Sequence, residues 1–169
     1  MNSEERDIQL DRMRFTKNTA ASRFAILAIV FDVLFFICLY ESDVNHQVGD
    51  FYYKARIGAS IICNLLFMLI AFLCSEGVKN YKTNYAYVLL GLGVLQIVRI
   101  FLTPTIAHGT DYTVGEMTKK VMETPQYIRE VIYLALSALS CFLAGVIGIS
   151  KAKKLEKHIA SLPDAEVKA

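Results

Sequence analysis

The chain is 169 residues long, which fits one domain on the usual scale of about 100–200 residues per domain. Its apolar share, 54%, exceeds the roughly 45–50% of soluble domains, and its charged share, 20%, falls below their roughly 25%. This balance excludes a disordered chain and disfavours a water-soluble globule.

Four apolar stretches contain almost none of the charged side chains. Although the chain has 18 Lys and Arg and 16 Asp and Glu, only Asp32 and Arg99 fall within these stretches. Each stretch has a length within the ~17–25 residues needed to cross the hydrocarbon core of a bilayer. The sequence therefore predicts an all-α protein, a bundle of four transmembrane helices. The stretches are Phe24–Tyr40, Ile57–Cys74, Tyr85–Thr103 and Val131–Ser150.

Lys and Arg are distributed unevenly around the predicted spans. Twelve lie in the N-terminal tail, the loop 75–84 and the C-terminal tail, and five lie in the two other loops. Because Lys and Arg collect on the cytoplasmic side, both termini are predicted to be cytoplasmic. Asp32 interrupts the apolar core of the first span, and no small-residue cleavage site follows that span. We therefore interpret the first span as a retained helix and not as a signal peptide.

The predicted organisation has three parts. Residues 1–23 form a basic cytoplasmic tail, partly helical from the capping box at Asn2 toward Phe15. Residues 24–150 form the membrane domain, and residues 151–169 form a second basic tail that is helical to about 162. The predicted spans are 24–40, 57–74, 85–103 and 127–150.

Two prolines mark the predicted end of the third span and the predicted start of the fourth. Pro104 is expected to close the third span, since proline removes a backbone donor. Thr124 and Pro125 are typical of a helix start, as cap and first helical residue. Between them, Thr110–Glu123 has apolar residues near helical spacing, which predicts a short interfacial helix.

The few polar residues inside the spans form a belt near the middle of the membrane. They are Asp32, Asn64, Gln96 and Arg99, one or two from each of the first three spans. An ionisable group in a span is costly, so these side chains are expected to face the bundle interior. We predict a network in which Gln96 is the closest third-span partner of Asp32, with Arg99 bonded to it directly or through water.

Two interpretations of this belt remain open at the level of sequence. In the first, the polar side chains are mutual hydrogen-bond partners that lock the bundle. In the second, Asp32 binds a proton or cation and the belt lines a path through an oligomer.

The fourth span carries a stripe of small residues. Ser137, Cys141 and Gly145 recur every four residues, so they share one helix face. Such stripes let helices approach closely in lipid, and we predict that this one packs inside the bundle.

The sequence contains no recognisable catalytic, phosphate-binding or metal-binding motif. We therefore expect no enzymatic activity, no cofactor and no metal site, although His46 and His108 share the predicted outer side with several aspartates. The four cysteines lie in or at the ends of spans, where packing is their ordinary role.

These observations favour a small, non-enzymatic subunit or interaction partner in the plasma membrane. The expected partners are the lipid bilayer and other membrane proteins or further copies of the chain, with no nucleic acid. The absence of an Asn-x-Ser/Thr sequon favours a bacterial cytoplasmic membrane. The alternative is an oligomeric transporter or channel that uses Asp32.

Overall fold

A computed structural model describes residues 17–44, 51–109, 111–114, 117–120 and 122–161. Within them, four long helices are each long and apolar enough to cross a membrane. The predicted fold class, an all-α bundle of four membrane-spanning helices, is confirmed. The helices are α1 (Thr19–Val44), α2 (Phe51–Lys79), α3 (Thr83–Ile100) and α4 (Thr124–Ser161).

The helices form a ring in which sequence neighbours are spatial neighbours. α1 packs against α2, α2 against α3 and α3 against α4, and α4 closes the ring against α1. Because the number of spans is even, α1 begins and α4 ends at the same end of the bundle, which we call the inner end. The predicted N-terminal helix between Asn2 and Phe15 lies outside the described residues.

Asn18 determines where α1 begins. Its side-chain Oδ1 accepts a hydrogen bond from the backbone N–H of Ala21 at 3.3 Å, as an N-cap residue does. Its own N–H donates to the carbonyl oxygen of Lys79 at 2.8 Å, which ties the start of α1 to the end of α2. The helix thus begins before the apolar stretch, whose first residue is Phe24.

A tight turn joins α2 to α3. The backbone N–H groups of Asn80 and Lys82 both donate to the carbonyl oxygen of Gly77, at 3.2 and 3.1 Å. Tyr81 adopts a left-handed conformation with φ 59°, which reverses the chain direction. So short a connection makes α2 and α3 antiparallel neighbours, as predicted.

The expectation that Pro104 ends the third span is wrong. Pro104 lies inside a π-helical turn, Phe101–Thr105, and a further helical turn continues to His108. A proline at this position removes the donor that would bond the carbonyl of Ile100. The hydroxyl of Thr105 donates to that carbonyl oxygen at 2.8 Å, so the helix continues without leaving it unpaired.

The expected interfacial helix between Thr110 and Glu123 is also absent from the described part of this loop. Two short antiparallel strands, β1 (Asp111–Val114) and β2 (Met117–Lys120), pair there instead. Tyr, Thr and Val in β1 favour strand over helix, and this preference outweighs the approximate helical spacing of the apolar residues.

Apolar side chains of the described residues form three clusters, of which the two larger ones fill the bundle interior. The larger one fills the inner half and includes Phe67, Leu89 and Leu92 together with many alanines. The smaller one lies in the outer half and is built from Phe35, Leu39 and Leu134. The space between them is occupied by polar side chains.

Candidate functional site: a buried polar cluster

All four helices contribute to a polar cluster in the middle of the bundle. Its members are Asp32 of α1, Asn64 of α2, Gln96 and Arg99 of α3, and Ser137 of α4. Four of them have no solvent exposure and Arg99 is 6% exposed. The structure brings the four predicted belt residues together and adds Ser137, which the sequence assigned to helix packing alone.

Asp32 is the main acceptor of the cluster. Its Oδ1 accepts hydrogen bonds from Gln96 Nε2 and from Arg99 Nη1, each at 2.9 Å. The second of these is also an ion pair. Both third-span residues therefore bond the carboxylate directly, with Gln96 and Arg99 at equal distances from it.

Arg99 distributes its donors over three helices. Besides Asp32 on α1, Nη1 donates to Gln96 Oε1 at 2.8 Å, and Nη2 donates to Asn64 Oδ1 on α2 at 2.7 Å. The guanidinium carbon lies 5.0 Å from the ring centre of Phe35, within the range of a cation–π contact. The charge of Arg99 is thus neutralised and hydrogen-bonded inside the protein.

Ser137 connects α4 to this network. Gln96 Nε2 donates to Ser137 Oγ at 3.0 Å, and Ser137 Oγ donates to the carbonyl oxygen of Ala28 at 3.0 Å. One amide and one hydroxyl therefore link α1, α3 and α4 at the same depth. This series of hydrogen bonds fixes the register of the three helices, because a shift of one helix along its axis would break several of the bonds.

Three buried atoms at this level have no hydrogen-bond partner among the described residues. They are Asp32 Oδ2, Asn64 Nδ2 and Ser60 Oγ, the last lying one turn from Asn64 on α2. The cluster can therefore accept a further hydrogen bond at Asp32 Oδ2 and donate two from Asn64 Nδ2. A buried polar atom without a partner costs free energy, so these atoms mark where a water or another polar group would be stabilised.

Apolar layers separate the cluster from both ends of the bundle. Toward the inner end lie Ala25, Phe67 and Leu89, and toward the outer end lie Phe35 and Leu134. All of these side chains are almost completely buried. The arrangement favours a closed, electrically neutral core over a polar channel along the bundle axis.

Two polar features of the interior escaped the sequence prediction. At the inner end, Ser22 and Ser75 form a hydrogen bond of 2.8 Å between α1 and α2. In the outer half, Glu130 is completely buried on α4. Glu130 precedes Leu134 by four residues and Ser137 by seven, and this spacing could have assigned it to the interior face.

The small-residue stripe of α4 lies in the interior, where Ser137, Cys141 and Gly145 are all buried. A Cβ atom placed on Gly145 would come within 2.6 Å of Leu90 and 3.0 Å of the carbonyl oxygen of Ala86. A side chain at this position would have to displace Leu90 and move α4 away from the backbone of Ala86. The stripe therefore forms a close helix contact, which we call the α3–α4 seam.

The described residues include all four cysteines and His108. All four cysteines lie in described helices, and none of them forms a disulfide. Within the described residues, no three His, Cys, Asp or Glu side chains come together as metal ligands could. His108 instead stacks near Tyr127, with ring centroids 4.7 Å apart, and connects the end of the third span to the start of α4.

Comparison of the chain with protein-family models, with curated proteins and with solved structures finds no significant match.

Proposed function

We propose that the protein is a small, non-enzymatic subunit or interaction partner of other membrane proteins, with the polar cluster acting as a structural lock. The observation that supports this proposal is the pairing of Asp32 with Arg99, the two charged residues at the centre of the bundle. Their opposite charges neutralise each other within one chain. A cation at Asp32 would meet the guanidinium of Arg99, which disfavours cation binding there.

Buried apolar side chains lie on both sides of the polar cluster. The apolar clusters that contain Phe67 and Leu134 lie on either side of the polar cluster, between it and the two ends of the bundle. Polar networks in membranes contribute modest energies, averaging ~0.6 kcal/mol per bond, so their main contribution is a specific helix arrangement. A rigid bundle of this kind suits a protein that presents lipid-facing surfaces to a partner.

The association of the chain can be measured directly. After extraction in a mild detergent, native mass spectrometry should detect the 19.0 kDa chain in an assembly of fixed stoichiometry. A second copy and a different membrane protein would both satisfy the proposal, and the masses distinguish them. A chain that stays monomeric in native lipid nanodiscs as well as in detergent would contradict it.

An oligomeric transporter or channel is the second candidate, and one observation favours it. Asp32 Oδ2 and Asn64 Nδ2 are buried but bond to no described residue, so the cluster retains capacity for a proton or water. In proteoliposomes with a pH-sensitive dye inside, the structural lock predicts no proton flux above protein-free vesicles. Flux that is present in the wild type and lost in Asp32→Asn would favour the transporter.

We further propose that both termini face the cytoplasm across a plasma membrane, because twelve Lys and Arg flank the inner end against five at the outer loops. Cysteines introduced at Ser3 and Ser161 should resist an impermeant thiol reagent in intact cells, whereas one at Asn45 should react. Labelling at Ser3 or Ser161 would overturn this orientation.

A further inference from the structure

α4 continues beyond its apolar stretch. The stretch ends at Ser150, whereas the helix continues to Ser161. At about 1.5 Å per residue, the last eleven residues extend roughly 16 Å past Ser150. We call residues 151–161 the α4 extension.

The packing of α4 beside the α2–α3 turn sets the depth at which the extension begins. A Cβ atom placed on Gly148 would lie 3.0 Å from the Cβ of Ala86 and 3.4 Å from Cγ1 of Val78. Lys82 in the turn precedes Ala86 by four residues, and Ala152 follows Gly148 by four residues. Because α3 and α4 are antiparallel, Lys82 and Ala152 are level. The α4 extension therefore begins at the depth of the turn, at the inner end of the bundle.

One ridge of α4 is exposed along the inner half of the bundle. Leu139, Leu143 and Val146 follow one another at four and three residues and are 54%, 39% and 58% exposed. Ser150 continues this spacing and is also exposed. In a bilayer, these side chains contact lipid tails. We call this row the lipid-facing ridge of α4.

The lipid-facing ridge continues into the α4 extension as lysines. Lys153 and Lys157 follow Ser150 at three and seven residues, and Lys154 lies beside them. All three lysines are exposed, whereas Ala152 is buried. They lie about 5–11 Å beyond Ser150 along the helix. The headgroup layer occupies about 5–8 Å on each side of the hydrocarbon core, so the long lysine side chains bring their ammonium groups to it.

The three lysines have no counter-charge in the part of the chain that the structure describes. None of them forms an ion pair with a described residue. The α4 extension has four lysines and a single carboxylate, that of Glu156. At the inner end of α2 the situation differs, because Lys79 pairs with Glu76 at 2.9 Å. The exposed positive charge at the inner end is therefore concentrated on α4, directly beyond its lipid-facing ridge.

We propose that Lys153, Lys154 and Lys157 bind the phosphate groups of anionic phospholipids whose acyl chains lie along the lipid-facing ridge. Clusters of Lys and Arg next to a membrane span attract anionic lipids, and this attraction falls off within a Debye length. The ridge contacts the acyl chains and the lysines contact the headgroups of the same lipids. The inference depends on the bundle lying in a bilayer and not on a protein partner, so it can fail without affecting the proposed function.

Tryptophan quenching measures this lipid preference, because the chain contains no tryptophan of its own. In the full-length protein, Val146→Trp places a reporter on the ridge, seven residues before Lys153. Phe72→Trp is the matched control on α2, seven residues before the paired Lys79. The two positions are 58% and 55% exposed, so both reporters contact lipid.

The two reporters should differ in vesicles that contain phosphatidylcholine and phosphatidylglycerol. At position 146, brominated phosphatidylglycerol should quench severalfold more effectively than brominated phosphatidylcholine at the same mole fraction. At position 72, the two brominated lipids should quench equally. Equal quenching by both lipids at position 146, or the same preference at both positions, would overturn the proposal.

Neutralising the lysines provides a second readout. In the Val146→Trp protein, the combination of Lys153→Gln, Lys154→Gln and Lys157→Gln should abolish the preference for phosphatidylglycerol. The corresponding three arginine substitutions should retain it, because they keep the charge. A preference that survives the glutamine substitutions would show that other residues bind the lipid.

A control at the outer end separates a local effect from a change in total charge. Lys119→Gln, Lys120→Gln and Arg129→Gln remove the same number of positive charges and should leave the preference at position 146 unchanged. High ionic strength should reduce the preference in the protein with all its lysines, because exposed charges are screened. If the outer substitutions abolish the preference, or if it withstands high ionic strength, the proposed contact between the lysines and the phosphates is wrong.

Discussion

In the middle of the bundle, five polar side chains from four helices bond to one another, whereas nearer the inner end α3 and α4 meet through residues with almost no side chain. The polar cluster stabilises the bundle through directional hydrogen bonds, since Arg99 reaches Asp32 and Asn64 in one helix register only. The α3–α4 seam stabilises the bundle through close packing, since Gly145 lets the backbone of α4 approach Ala86.

The two regions respond to different physical requirements of the membrane. Lipid tails are as apolar as the helices, so burial of apolar surface provides little drive for helices to associate. Close packing then supplies van der Waals contacts, and internal hydrogen bonds avoid the cost of polar groups in hydrocarbon. We therefore expect the polar cluster to be most sensitive to loss of a partner and the seam to be most sensitive to added volume.

The largest effect is expected from Asp32→Leu. It leaves the buried charge of Arg99 without a counter-charge, and breaking a buried ion pair in this way costs about 3–5 kcal/mol of unfolding free energy. Asp32→Asn should be milder, because an amide still offers an acceptor to Gln96. Reversible unfolding in mixed detergent measures the difference, with the lipid-facing Val33→Leu as control.

Removing both charges separates the ion pair from the rest of the cluster. Asp32→Leu combined with Arg99→Leu should recover much of the stability lost by Asp32→Leu alone, since no unpaired charge remains. If the double variant is as unstable as the sum of the single variants, Asp32 and Arg99 are not coupled and the lock interpretation fails.

At the α3–α4 seam, Gly145→Leu should lower the unfolding free energy by roughly 1–3 kcal/mol or more, because the new side chain must displace Leu90 or separate the helices. Val146→Leu, one residue further along α4 and 58% exposed, is the matched control and should change little. Equal melting temperatures of the two variants in detergent would mean that the stripe faces lipid.

The smallest effect is expected at the inner end, where Ser22 and Ser75 share a hydrogen bond. Hydrogen bonds between membrane helices average about 0.6 kcal/mol, with a maximum near ~1.7 kcal/mol. A double-mutant cycle of Ser22→Ala and Ser75→Ala should give a coupling in this range. Ser150→Ala, at an exposed position of α4, should have no measurable effect, and a coupling of zero would show that the serine bond adds nothing.

Much of the fold could be predicted because it depends on local chemistry. Apolar length alone placed four helices, and the scarcity of charge within them made Asp32 and Arg99 conspicuous. The errors occurred where local rules compete. Pro104 normally ends a helix, yet the hydroxyl of Thr105 replaces the missing donor, and β-forming residues outweighed a weak helical spacing in the second outer loop.

The sequence predicted which residues form most of the polar cluster, but only part of the hydrogen bonding between them. Depth and helix face brought Asp32, Asn64, Gln96 and Arg99 to one level, but errors of a few residues in a helix boundary shift a side chain by several ångströms. The sequence could therefore not distinguish a direct bond of Arg99 to Asp32 from a water-mediated one. Glu130 was missed because a charged residue at a span end normally faces water.

The sequence by itself determined that the chain has four segments long and apolar enough to cross a membrane, because segment length and charge placement depend only on composition along the chain. It also determined that few polar groups would lie in the bilayer. The tertiary structure decided that Arg99 bonds to Asp32 and Asn64 together, that Ser137 joins them, and that Gly145 forms a backbone contact. These features depend on which helix faces meet and at what rotation, and that is fixed only when all four helices pack together.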